Sequence, residues 1–194
     1  MDGFRRTVER PGALRRWLLR LVALGISYAL AVLLLGLGGG TPGTAPWLTI
    51  PRSSYFVVEA AFTAPVVILA AILAAAVVYL CRRAAGAVAS FDDTFVAFSR
   101  ATCIATLCSL VPDLVVGAVT TLGWVDGAAW ARDLVRPSGP WLFLWCYLTL
   151  YLVAFLVLYP TAARAAGVQR RAAAVGLGLL GFGIYQGVLL IFIR

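Results

Sequence analysis

Three ionisable side chains, Glu59, Arg100 and Asp113, fall inside long apolar runs of this sequence. An ionisable group within a bilayer is costly and marks a functional position unless it reaches an interface. Glu59 and Asp113 lie on consecutive runs joined by a short connection. Glu59 is about 23 residues before Arg82, and Asp113 is about 20 beyond Asp93. At about 1.5 Å per residue the two acids reach similar depth, far from that connection. Two carboxylates at one depth can share a proton, or hold a cation together with freed backbone carbonyls. Pro65 and Pro112 would free such carbonyls at Ala61 and Cys108. The competing reading is structural. Glu59 then reaches headgroups on its own, and Asp113 caps the helix resumed after Pro112. Arg100, two turns past Asp92 and Asp93, would reach the nearer interface.

Other chemistry is excluded by absence. The sequence has no His, Lys or Asn. That removes imidazole bases and ligands, Lys Schiff bases and N-glycosylation sites. There is no Ser-His-Asp set, zinc motif or phosphate loop. Cys81, Cys103, Cys108 and Cys146 form no C-x-x-C pattern and are expected to be small buried hydrophobes. No catalytic residue, metal or cofactor is expected, and the chain reads as non-enzymatic.

The elements that must position the acids follow from composition. Of 194 residues, 62% are hydrophobic and 12% charged, against about 45–50% apolar and about 25% charged in soluble domains. A water-soluble enzyme or nucleic-acid-binding domain is excluded, and the chain is an integral membrane protein. Five runs are long enough to span, since a spanning helix needs about 20 apolar residues. They are Trp17 to Leu37, Tyr55 to Leu80, Phe95 to Leu122 with Pro112 inside, Trp141 to Tyr159 ended by Pro160, and Ala172 to Ile193. The expected fold is an all-α membrane bundle of five helices over residues 17–194, preceded by a basic segment, 1–16. The first run is too long for a signal-peptide core and is expected to be retained.

Charge sets the expected orientation. Arg5, Arg6, Arg10, Arg15, Arg16, Arg20, Arg82, Arg83, Arg164, Arg170 and Arg171 fall on one side; Arg52, Arg132, Arg136 and Arg194 fall on the other. The richer side is the cytoplasmic one, so the amino terminus is expected inside and the carboxyl terminus outside. All sixteen basic residues are Arg, as a GC-rich bacterial genome would produce, which suggests a bacterial cytoplasmic membrane. Arg5, Arg6, Arg10, Arg15 and Arg16 are expected to face anionic lipid headgroups. The +8 net charge therefore implies lipid, not nucleic acid.

On the outer side, Trp124, Trp130 and Trp141 suit headgroup anchoring, and Ala128 to Leu134 suits a short interfacial helix. In the fifth run Gly183 and Gly187 form a G-x-x-x-G, which lets helices approach closely, within the chain or across a dimer seam. Tyr185 and Gln186 on the same run are polar enough to bond across helices.

The middle of the chain resembles the bacterial branch of the Yip1-domain family of five-span membrane proteins. Arg82-Arg83-Ala84-Ala85-Gly86, then Ser90-Phe91 and Thr94, resemble the connection between its second and third spans. Pro112 with Gly117 resembles that family's later proline and glycine. Gly167-Val168-Gln169-Arg170-Arg171-Ala172 resembles its last basic loop. The resemblance covers about residues 50–190 and implies a non-enzymatic membrane scaffold, assembly or trafficking-type factor, with no catalytic residues. Rab-type GTPase binding is not expected to carry over, because family members use a long amino-terminal region for it and here residues 1–16 precede the first run. The alternative function is a small transporter or channel component using Glu59 and Asp113.

Overall fold

The computed structural model describes residues 12–40, 51 and 54–192. Among them are six helices and no strands: α1 (Ala13–Leu37), α2 (Tyr55–Ala84), α3 (Phe91–Thr121), α4 (Gly127–Asp133), α5 (Gly139–Ala165) and α6 (Arg171–Phe192). All but α4 are long and apolar enough to cross a membrane. At about 1.5 Å per residue the shortest of these, α6 with 22 residues, measures about 33 Å, matching a hydrocarbon core of about 30 Å.

Successive long helices run antiparallel, so the bundle has two chemically distinct ends. One gathers Arg15, Arg16, Arg82, Arg83, Arg164, Arg170 and Arg171; the other gathers Trp124, Trp130 and Trp141. The ends are called here the arginine end and the tryptophan end. The amino-terminal Arg5, Arg6 and Arg10 lie outside the described residues, as do Arg52 and Arg194. Arg15 and Arg16 are exposed in the first turns of α1, which starts at Ala13 rather than at Trp17.

Local signals explain the helix ends. Ser90 accepts the Asp93 backbone N–H and caps α3, while Asp92 and Asp93 complement the positive end of its dipole. Gly86 has φ +75°, the left-handed conformation that lets the chain leave α2 within a few residues. Arg82 turns inward, 5% exposed, and its Nη1 donates to Thr94 Oγ1 at 3.1 Å. Asp126 accepts the N–H groups of Ala128 and Ala129 to cap the short α4. Trp130 on α4 then sits edge-on to Phe143 of α5, 6.0 Å between ring centroids.

Pro160 does not end the fourth span. Helix α5 continues through it to Ala165. A proline in mid-helix removes one N–H and its ring crowds the preceding turn; in a bundle, close packing by a neighbour can offset that cost. Here the neighbour is Gly178 of α6, where an added Cβ would lie 2.5 Å from the Pro160 nitrogen. Helices α2 and α3 likewise continue through Pro65 and Pro112. Asp113 is therefore an interior residue of one helix rather than the cap of a second.

Helices α1, α2 and α3 form a slab packed along its whole length. A Cβ on Gly25 would meet Ala64 Cα at 2.8 Å, one on Gly36 would meet Phe56, and one on Gly117 would meet Leu34 Cβ at 2.8 Å. Near the tryptophan end Thr121 Oγ1 donates to the Leu34 carbonyl at 2.8 Å. Helix α5 packs on α3, α6 packs on α2, and the two pack on each other. They do so mainly in the arginine half. The buried residues of α5 are Phe155, Tyr159, Ala162 and Ala163; those of α6 are Ala174, Gly178, Gly181 and Tyr185. Toward the tryptophan end the pair stands off the slab, and a wedge remains.

Candidate functional site

Asp113 sits in that wedge. It is on α3, eight residues before Thr121, about 12 Å along the helix from its tryptophan end. Tyr28 of α1 donates its hydroxyl to Oδ2 at 3.1 Å, and Tyr147 of α5 donates to Oδ1 at 3.2 Å. One carboxylate thus ties three helices together. Hydrogen bonds to an ionised acceptor are about twice as strong as neutral ones.

The wedge holds a cavity of about 310 Å³. All five long helices line it: Tyr28, Val67, three residues of α3 (Thr106, Ser109 and Asp113), Tyr147, Leu148 and Tyr151 of α5, and Tyr185, Gln186, Leu189 and Leu190 of α6. Leu148 and Leu190 both line the space and are exposed on the bundle surface, so the rim lies between α5 and α6. That volume falls at the small end of the ligand-site range of about 300–1,000 Å³.

The polar groups follow the three-to-four residue repeat. Thr106, Ser109 and Asp113 lie on one face of α3 because their spacing is three and four. Tyr147 and Tyr151 are one turn apart on α5. Gln186 Nε2 donates to the Tyr151 hydroxyl, which links α5 to α6 beside the cavity. Ser109 turns its hydroxyl to the Thr106 carbonyl at 3.1 Å. The hydroxyls of Tyr185 and Thr106 have no hydrogen-bond partner among the described residues, and Tyr185 is fully buried. Unsatisfied buried hydroxyls cost about 1–3 kcal/mol each; Ser99, in the packed arginine half, carries a third.

Below Tyr185 the arginine half is solid. Phe155 stacks on Tyr185 at 5.3 Å, Phe98 meets Tyr159 edge-on at 5.0 Å, and the Tyr159 hydroxyl shares a 2.8 Å hydrogen bond with Thr102. The remaining volume is filled by alanines, among them Ala70, Ala74, Ala101, Ala105 and Ala162, all with zero exposure.

The residues singled out in the sequence scatter around this site. Glu59 is half-buried on α2 and does not line the cavity; its electrostatic neighbours are Tyr55, one turn away, and Asp113. Arg100 is half-buried in the arginine half, beside Arg20 of α1 and about 20 Å along α3 from Asp113. Pro65 is exposed and Pro112 half-buried. Among the described residues nothing packs against Gly183 or Gly187, so packing between these helices does not use that pair. It uses Gly178 against Pro160 and Gly181 against Phe98 instead, because those two face the slab and the other two face outward. Cys81, Cys103 and Cys108 are half-buried, whereas Cys146 is exposed, since α5 presents that face to lipid.

Sequence reasoning had found Gln186 as a cross-helix donor, and it is one. It had not found Tyr28, Tyr147, Tyr151, Thr106 and Ser109. The available signal was the i, i+3, i+7 repeat of Thr106, Ser109 and Asp113 on one span, which puts three polar groups on one face. Among the described residues no group of three or more His, Cys, Asp or Glu side chains is placed to hold a metal ion. The chain matches no protein-family model, no curated protein and no solved structure.

Proposed function

We propose that this chain is a non-enzymatic membrane protein that holds a small molecule in the cavity at Asp113, as the binding part of a transporter or channel. The observation that carries this reading is the cavity itself: five spans converge on one carboxylate and two buried, unpartnered hydroxyls. A core built only for stability would close that space, as alanines and aromatic rings do in the arginine half. The lining offers hydrogen-bonding groups and no nucleophile with an adjacent base, which supports binding rather than turnover. Arginine asymmetry supports a bacterial cytoplasmic membrane with the arginine end inside. The cavity then faces the outer leaflet, and the basic segment meets anionic headgroups.

Cysteine accessibility in lipid nanodiscs tests the reading. In a chain with its native cysteines replaced, Ser109→Cys should react with methyl methanethiosulfonate, and Ala101→Cys in the packed half should not. Equal protection of both positions would overturn it.

A second reading is the scaffold or assembly role that the Yip1-domain resemblance implies. One observation favours it: Gly183 and Gly187 leave a shallow strip on α6 that no described residue covers. Crosslinking through a cysteine at Gly183 would distinguish it, since a seam between copies predicts a disulfide-linked dimer.

A further inference from the structure

The geometry points to a small organic ammonium, with a hydrogen-bonding group at its far end, as the occupant of the cavity. This rests on the reading of the cavity as a ligand site and names the ligand class.

Two poles lie on one face of α3. Asp113 is the charged one; Thr106 is seven residues earlier, two turns or about 10 Å away. At the first pole each carboxylate oxygen already accepts one tyrosine hydroxyl, and a carboxylate has about four lone-pair sites. Among the described residues no arginine lines the cavity. Within that set the charge is met only by neutral donors, and a bound cation would supply an opposite charge. Tyrosine rings around it add favourable contact with a cation. A bare metal ion fits less well: calcium takes six to eight oxygens and magnesium a strict octahedron, and one carboxylate lines the space.

At the second pole the groups are neutral. Tyr185 lies beside Thr106, yet neither hydroxyl has a partner in hydrogen-bond geometry among the described residues. Both line the cavity. They can donate to, or accept from, a ligand hydroxyl or carbonyl. Between the poles the walls are Val67, Leu148 and Leu189 with the tyrosine rings, which suits an apolar middle. A molecule of about ten heavy atoms suits a cavity at the small end of ligand sites.

Three compounds share one ring and separate the poles: tyramine carries ammonium and hydroxyl, phenethylamine the ammonium alone, 4-ethylphenol the hydroxyl alone. Each is titrated as a protectant of Ser109→Cys against methyl methanethiosulfonate, in nanodisc protein shown to be folded by circular dichroism. Tyramine should protect at the lowest concentration, phenethylamine at about tenfold more and 4-ethylphenol at about a hundredfold more, as expected for a neutral and a charge-assisted hydrogen bond. Asp113→Asn should bring tyramine to the level of 4-ethylphenol; Tyr185→Phe should bring it to that of phenethylamine. If Asp113→Asn does not fold, the ratio of tyramine to 4-ethylphenol in the parent decides. Equal protection by all three, or none by any, overturns the ammonium while the labelling itself still supports an accessible site. A Ser109→Cys thiol that never reacts overturns the site reading, and the ligand class with it.

Discussion

The arginine half and the tryptophan half of this bundle are made by the same five helices and filled in opposite ways. In the arginine half, alanines and glycines let the backbones approach, and a few rings fill what is left. In the tryptophan half the α1–α2–α3 slab keeps that closeness, but α5 and α6 bring tyrosines to the interface. Tyrosine holds backbones apart and carries a hydroxyl that needs a partner. Small residues therefore give a rigid half, and large polar-tipped ones give a hollow half that one carboxylate organises. Close packing between membrane helices comes from van der Waals contact rather than from a hydrophobic drive, so the closely packed half is expected to contribute more to stability than the hollow one.

The sharpest break of this contrast is Gly178→Ala. Its Cβ would fall 2.5 Å from Pro160 backbone with nowhere to go, and the expected loss is about 3 kcal/mol, the upper part of the overpacking range. Unfolding of the purified protein in a graded denaturing detergent measures it. A change under about 1 kcal/mol would show that the arginine half is not tightly set. Next is Tyr159→Phe, which leaves the buried Thr102 hydroxyl without its 2.8 Å partner and should cost about 1–2 kcal/mol in the same assay. Asp113→Asn follows at about 1 kcal/mol. An amide still accepts from one tyrosine, and the hollow half is less closely packed than the arginine half. A loss of more than about 3 kcal/mol would make Asp113 a structural keystone and count against the contrast. The smallest effect belongs to Gly183→Ala, whose methyl meets open space. It should lie within about 0.5 kcal/mol of the parent, or modestly above it through helix propensity.

Legibility in the sequence differs between the same two halves. Run length alone found all five spans, because a bilayer leaves the chain little choice of element. It misplaced the end of α5, since a proline reads as a stop and the glycine that accommodates it lies on another helix. The site was legible only at its charge. Asp113 stands out because acids are rare in spans, but its partners Tyr28 and Tyr147 are 85 and 34 residues away in the chain, and a tyrosine in an apolar run reads as one more hydrophobe. Depth, which sequence gives, brings Glu59 within electrostatic reach of Asp113; rotation about the helix axis, which it does not give, leaves only Asp113 lining the cavity. The glycine pattern has the same weakness: spacing identified Gly183 and Gly187 as mates, while the direction each faces is set by the neighbours of α6.

The centrality of α3 also sets an order on biogenesis. It is the least apolar of the five spans and has the longest roll of buried positions, including Thr94, Ser99, Thr102, Thr106 and Ser109. Emerging from the insertion machinery, it is the span least content to wait alone in lipid. Its side chains find partners on α1 at once, but Asp113 gains Tyr147 only when α5 has been made. With spans inserted in chain order, a three-helix stage is expected in which the carboxylate has Tyr28 but not yet Tyr147. Slowing synthesis between α3 and α5 would lengthen that exposed interval and is expected to divert more of the chain to degradation than a pause placed after α6.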